Sequence, residues 1–151
     1  MWRSCVSVGR AALVGPHRRW LFQSRAVLAA KVYTFEDVRR LVQQPAPGRL
    51  LVDVREPEEV QENALPGAVN IPLKSSPGAL GLSAEEFRDV FHFDKPPLDS
   101  ELVFLCARGV RAQTAEELAR SYGYEHTGVY PGSIAEWIKR GGETVKKQTK
   151  A

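Results

Sequence analysis

Cys106 ends an apolar run, Leu102-Val103-Phe104-Leu105, and is followed by Ala107-Arg108-Gly109-Val110-Arg111. A helical pattern starts where that loop stops. The arrangement delivers one thiol from the end of a buried strand to a tight turn at a helix N-terminus. Backbone N–H groups and the helix dipole favour an anion at such a place. A thiolate is an anion, so a cysteine held there becomes a nucleophile. Gly109 lets the chain curl with N–H groups turned inward, an anion-binding nest. Arg108 and Arg111 add permanent cations whose planar forks suit oxyanions. A lone cysteine more often just fills a strand end. Two arginines and a glycine within five residues favour the working thiolate instead.

The elements that must position this thiol can be read on either side of it. Thr34 with Asp37 marks a helix start, and Phe35, Val38, Leu41 and Val42 give that helix one apolar face. Pro45, Pro47 and Gly48 end it. Leu50-Leu51-Val52-Asp53-Val54 reads as a buried strand. Glu56-Pro57-Glu58-Glu59 opens a short helix, with Pro near its first position and acids facing the dipole. Pro66-Gly67 turns the chain into a strand over Ala68-Val69-Asn70-Ile71. Lys74 to Gly81 is a loop rich in Ser, Pro and Gly. Ser83 and Glu86 form a capping box for a helix with Phe87, Val90 and Phe91 inward.

After Cys106, Ala112, Ala115, Leu118, Ala119 and Tyr122 line one helical face, and Gly123 is placed to cap its end. His126 to Tyr130 is a further strand. Pro131-Gly132 turns into a helix whose start reads as a cap by Ser133 and Glu136, with Ile134, Trp137 and Ile138 inward. Gly141-Gly142 ends it. Alternating strands and helices predict an α/β fold with a mostly parallel sheet. In such sheets the site lies outside the carboxyl ends of the strands. Asp53, Ile71, Cys106 and Tyr130 all fall at or near such ends.

The net charge of +3 over 151 residues is misleading until it is divided. Met1 to Phe35 holds no acidic residue, but it holds Arg3, Arg10, Arg18, Arg19, Arg25 and Lys31. The remainder keeps 15 of the 21 Lys and Arg against all 18 Asp and Glu, a net of −3. The folded part therefore carries no nucleic-acid footprint. No apolar run approaches a membrane span. An Arg-rich, acid-free start with Ser4, Ser7 and Ser24 reads as a mitochondrial presequence over residues 1–30, with a disordered basic arm as the plainer alternative. Its longest apolar run, Ala11 to Val14, is too short for a secretory signal. Residues 31–142 form the domain, and 143–151 read as a disordered basic tail. With Cys5 in the leader, Cys106 is the only thiol of the mature domain. That suits a reducing compartment such as the matrix. His17, His92 and His126 show no metal-ligand spacing, and no cofactor is expected.

Three stretches carry a family resemblance. The first is Leu51-Val52-Asp53-Val54-Arg55-Glu56-Pro57-Glu58-Glu59, continuing to Pro66-Gly67-Ala68-Val69-Asn70-Ile71-Pro72. The second is Val103-Phe104-Leu105-Cys106 with its loop. The third is Tyr130-Pro131-Gly132-Ser133-Ile134-Ala135-Glu136-Trp137. From about Val32 to Gly142 the chain resembles the single-domain rhodaneses, the thiosulfate sulfurtransferases, in particular the small thiosulfate:glutathione type. The resemblance implies a rhodanese-like α/β fold, a mostly parallel five-stranded sheet with helices on both faces. It implies that Cys106 takes sulfane sulfur from thiosulfate, or another such donor, as a persulfide. Cyanide, glutathione or a protein thiol would then accept it. Arg108 and Arg111 would bind the substrate anion, and backbone groups of Ala107, Gly109 and Val110 would cradle the sulfur. Asp53 and Arg55 match the family's Asp-x-Arg element and are expected to anchor loops beside the site. Trp137 is expected in the core and Lys74 in solvent. One departure stands out: where many members have Gly-His-Ile before the Pro-Gly, this chain has Asn63-Ala64-Leu65.

Two other readings share these residues. A phosphatase loop needs Cys, five residues, then Arg; here the sixth residue after Cys106 is Ala112, which ranks phosphate or arsenate chemistry low. A persulfide carrier or protein-binding module with little turnover of its own needs the same loop and stays open. Deleting residues 1–30 is expected to abolish mitochondrial import and to leave a soluble, active domain. Import that survives the deletion would sink the presequence reading.

Overall fold

The computed structural model describes residues 29–146. All but the last two residues of the expected leader, and the tail beyond 146, lie outside the described residues. Five strands, β1 (Lys31–Val32), β2 (Arg49–Asp53), β3 (Val69–Asn70), β4 (Glu101–Leu105) and β5 (Thr127–Val129), form one sheet in the order β1-β5-β4-β2-β3. Every pairing is parallel. The helices are α1 (Phe35–Gln43), α2 (Pro57–Glu62), α3 (Ala84–Phe91), α4 (Val110–Ser121) and α5 (Ser133–Lys139). No helix among the described residues is long and apolar enough to cross a membrane.

Alternation along the strands splits the core in two. Leu102, Phe104 and Cys106 face one side with Val52 and Val54, and pack with Phe87 of α3 and Ala112, Ala115 and Ala119 of α4. Val103 and Leu105 face the other side with Leu51, and pack with Phe35 and Val38 of α1 and Ile134 and Trp137 of α5. Helices thus cover both faces, which is why β4 reads as an unbroken apolar run. β4 lies at the centre of the sheet, so Cys106 leaves the middle of its carboxyl edge.

The capping boxes form as the sequence predicts. Thr34 and Asp37 exchange hydrogen bonds of 3.0 and 3.3 Å, as do Ser83 and Glu86. Several expectations change. β1 has only two residues, too few to show a period, and Val32 is 65 % exposed. Its pairing with β5 makes it a strand, and that pairing needs Gly128: a Cβ there would lie 2.4 Å from the Tyr33 ring. Val90, Tyr122 and Ile138, expected inward, are exposed, because the short helices bury narrower stripes than their apolar residues suggest. The expected tail is held at its start. Trp137 Nε1 donates to Glu143 O at 2.8 Å, and Ala64 and Val145 exchange backbone hydrogen bonds of 2.8 and 2.9 Å.

Away from the cysteine, Glu101 ties three elements together. It accepts from Lys31 Nζ at 3.0 Å, from Arg49 Nε and from the Tyr33 hydroxyl. Burial by itself would raise its carboxyl, but these donors outweigh burial and hold it down at about 2, against an ordinary 4.5. A carboxyl depressed by folding adds stability that is present above its unfolded value and is lost as pH falls toward its folded one. Glu101→Gln is therefore expected to lower stability near neutral pH by about 1–3 kcal/mol. It should also flatten the loss of stability between about pH 4.5 and 2. Urea unfolding across that range checks both.

Candidate active site

Cys106 is only 2 % exposed. Its Sγ accepts the Gly109 N–H at 3.0 Å, closing a turn of four residues around the sulfur. The carbonyls of that turn are bonded elsewhere: Ile134 N donates to Cys106 O at 3.1 Å and Ala135 N to Ala107 O at 3.2 Å. These are first-turn N–H groups of α5, which have no partner inside the helix. A trans peptide points its N–H opposite to its C=O, and no described peptide bond is cis. The N–H groups of Ala107 and Arg108 are thereby turned away from α5. Those two, with the N–H groups of Val110 and Arg111, have no protein acceptor among the described residues. Unpaired N–H groups in a turn at a helix N-terminus are chemically able to hold an anion.

Gly109 has φ +95°, and a Cβ there would stand 2.5 Å from Pro131 O. Pro131-Gly132-Ser133 thus seats the turn from behind. Ser133 is fully buried at φ +51°. It does not cap α5 as the sequence suggests. Its hydroxyl instead accepts the Cys106 N–H at 3.1 Å, donates to Tyr130 O at 2.8 Å and lies 3.9 Å from Cys106 Sγ.

The family model described as "Rhodanese-like domain" matches residues 34–140. The chain belongs to the rhodanese-like domain family. It is 64% identical over 118 residues to the mitochondrial thiosulfate sulfurtransferase RDL2 of Saccharomyces cerevisiae, covering 78% of this chain and 79% of the relative. It is 40% identical over 121 residues to the thiosulfate:glutathione sulfurtransferase of the same yeast, covering 80% and 87%. A solved structure of the single-domain sulfurtransferase RDL2 superposes with a TM-score of 0.75 at 63% identity, over 77% of this chain and 94% of that one.

Arg55 and Arg111 of this rhodanese-like domain are each committed to a carboxylate. Arg55 and Asp53 are 3 % and 1 % exposed, with Nη2 to Oδ2 at 2.7 Å and Nε within 3.1 Å of both oxygens. The remaining donors of Arg55 reach Glu59 O at 3.3 Å, Asn63 Oδ1 at 2.8 Å and Asn63 O at 2.7 Å. All five N–H bonds of its fork are used, so Arg55 anchors the end of α2 and has none left for a substrate. Asn63, at the departure from the family pattern, completes that anchor. Asn70 adds Nδ2 bonds to Asp53 O at 2.9 Å and Arg55 O at 2.8 Å.

Arg111 differs from expectation. Its fork is bidentate on Glu59, at 2.7 and 2.8 Å. Hydrogen bonding from Arg111 holds the Glu59 carboxyl at about 2. Glu59 in turn holds the Arg111 guanidinium charged, with smaller contributions from Cys106 and Asp53. Arg108 is exposed and has no ion pair or side-chain hydrogen bond among the described residues. Lys74 is exposed, as expected, and its N–H and that of Ser75 donate to Glu56 Oε1. Further along that loop, Gly81 packs on the Tyr122 ring, at the end of α4 far from Cys106. Trp137 lies in the core.

Gly109→Ala is expected to displace the turn from Pro131 and cut sulfur-transfer activity at least ~10-fold, measured at saturating substrate. Asn63→Ala removes the Oδ1 acceptor but keeps the backbone one, so it is expected to leave one Arg55 donor unsatisfied and lower stability by about 1–3 kcal/mol, read by thermal unfolding.

Proposed function

We propose that this protein transfers sulfane sulfur from thiosulfate, or another donor of that class, to a thiol or cyanide acceptor through a persulfide on Cys106. The observation that carries the reading is the Gly109 N–H bond to Cys106 Sγ, within a turn whose Ala107 and Arg108 N–H groups have no protein acceptor among the described residues. The Cys106 thiolate attacks the outer sulfur of thiosulfate. The S–S bond of the donor breaks, and sulfite leaves with the bonding pair. A thiolate and a dianion enter, and a persulfide anion and a dianion result. Backbone N–H groups of Ala107, Arg108, Gly109 and Val110 face the charge at every stage, an arrangement of fixed dipoles suited to transition-state stabilisation. Arg108 meets the anion directly, and Arg111 adds positive charge from beside the turn. Asp53 and Arg55 serve as anchors.

Sulfurtransferase chemistry is also the named activity of the relatives at 64% and 40% identity. Cys106 is the only free cysteine among the described residues. With no second thiol among the described residues to resolve it, the persulfide would pass its sulfur to an outside acceptor; cyanide, glutathione and protein thiols are the acceptors we assign. The Arg-rich, acid-free start, and relatives named mitochondrial in two yeasts, support a mitochondrial location.

Mass spectrometry after exposure to thiosulfate should show a single-sulfur adduct on Cys106 that is absent from Cys106→Ser and removed by glutathione. No adduct, or an equal adduct on the variant, would overturn the mechanism. Multiple turnovers with thiosulfate and glutathione identify an enzyme, whereas one-time loading identifies a carrier.

A further inference from the structure

The two arginines of the cysteine turn stand in different electrostatic positions. Arg108 is exposed and has no partner among the described residues. Arg111 is matched by Glu59, each terminal nitrogen facing one carboxylate oxygen. Glu59 is itself fixed, because its Oε2 accepts the Glu56 N–H at 3.1 Å in the first turn of α2. The pair is 32 % and 40 % exposed, so it borders the mouth of the site rather than the core. We propose that Glu59 is a specificity-determining positioning residue: by occupying the Arg111 fork it cancels one of the two cations beside Cys106 and leaves Arg108 as the free cation that receives an anionic sulfur donor.

The charge count shows what this does. Arg108, Arg111, Glu59 and a Cys106 thiolate sum to zero. A site without Glu59 would carry one net positive charge before a dianion enters. Extra attraction for the dianion would tighten the ground state and, equally, the departing sulfite dianion. Binding energy spent on both lowers KM without raising kcat. Glu59 thus trades donor affinity for product release. The carboxylate stays ionised at any working pH, since its pair with Arg111 holds it at about 2. The effect is therefore a fixed setting of the site, with no pH switching near neutrality.

This inference rests on Cys106 as the nucleophile of the reading above, and one readout is independent of sulfur transfer. Iodoacetate and iodoacetamide alkylate the same thiolate but differ by one negative charge. The ratio of their rates reports the charge at the mouth, and the neutral reagent corrects for changes in thiolate fraction. Glu59→Gln keeps the shape and the Glu56 N–H acceptor. It should raise the iodoacetate-to-iodoacetamide ratio ~3–10-fold and steepen its salt dependence, as expected for one rim charge. Arg108→Gln should lower the ratio by a similar factor. Glu59→Asp retains the charge and should stay near wild type even if its melting temperature falls. With thiosulfate, Glu59→Gln should lower KM and strengthen sulfite inhibition while kcat does not rise. A ratio that Glu59→Gln leaves unchanged or lowers, or that Glu59→Asp moves as much as Glu59→Gln, overturns the proposal. An altered ratio together with no Cys106 persulfide from thiosulfate would instead overturn the sulfur-transfer reading and leave the charge setting standing.

Discussion

The site depends on where two carbonyl groups go. Cys106 O and Ala107 O are accepted into the first turn of α5, at 3.1 and 3.2 Å from Ile134 N and Ala135 N. A tight turn cannot direct both its carbonyls and its N–H groups toward one centre without losing its attraction for anions. Here a second helix takes the carbonyls, and the N–H groups are left for the sulfur and whatever is bound to it. The strand order supports this, because β5 lies beside β4 and feeds α5 directly behind the cysteine turn. Gly109 and Pro131 meet too closely for a side chain between them, so turn and seat form one unit.

Charge is handled differently at each depth. The Asp53–Arg55 pair is sealed, and every donor of the guanidinium is matched. Such a pair is costly to break because a buried charge would be left alone. It joins β2 to the end of α2 through Asn63 and sets the angle at which α2 leaves the sheet. That angle presents the first turn of α2, and with it Glu56 and Glu59, to the rim. The outer pair, Glu59–Arg111, is half exposed and adds little to stability. Its importance lies in the potential around Cys106.

Much of this was legible in the sequence, for identifiable reasons. β4 is buried on both faces, so its apolar run and its end at Cys106 stand out without periodicity. Thr34/Asp37 and Ser83/Glu86 are local pairs three residues apart, and local pairs survive folding unchanged. Ser133 and Glu136 have the same spacing, yet the helix start there answers to Cys106. A buried N–H at Cys106 needed an acceptor, and Ser133 supplied it at the expense of a left-handed backbone. Glu59 and Arg111 are 52 residues apart in sequence, so no local pattern announces their pairing. Asn63 stands where many members of the family have glycine, and only the three-dimensional path of Arg55 gives it a role. β1 was hidden because two exposed residues have no period to read.

The Cys106 sulfur is the outermost member of a core file, Leu102, Phe104, Cys106, and meets almost no solvent. A bulky partner has little to grasp while the thiol is bare. One added sulfur would extend the side chain by an S–S bond of about 2 Å and bring a reactive atom toward the mouth. On the persulfide reading proposed above, occupancy would act as a steric gate on encounters: slender donors would reach the empty cysteine, and larger thiols would meet the protein productively once it carries cargo.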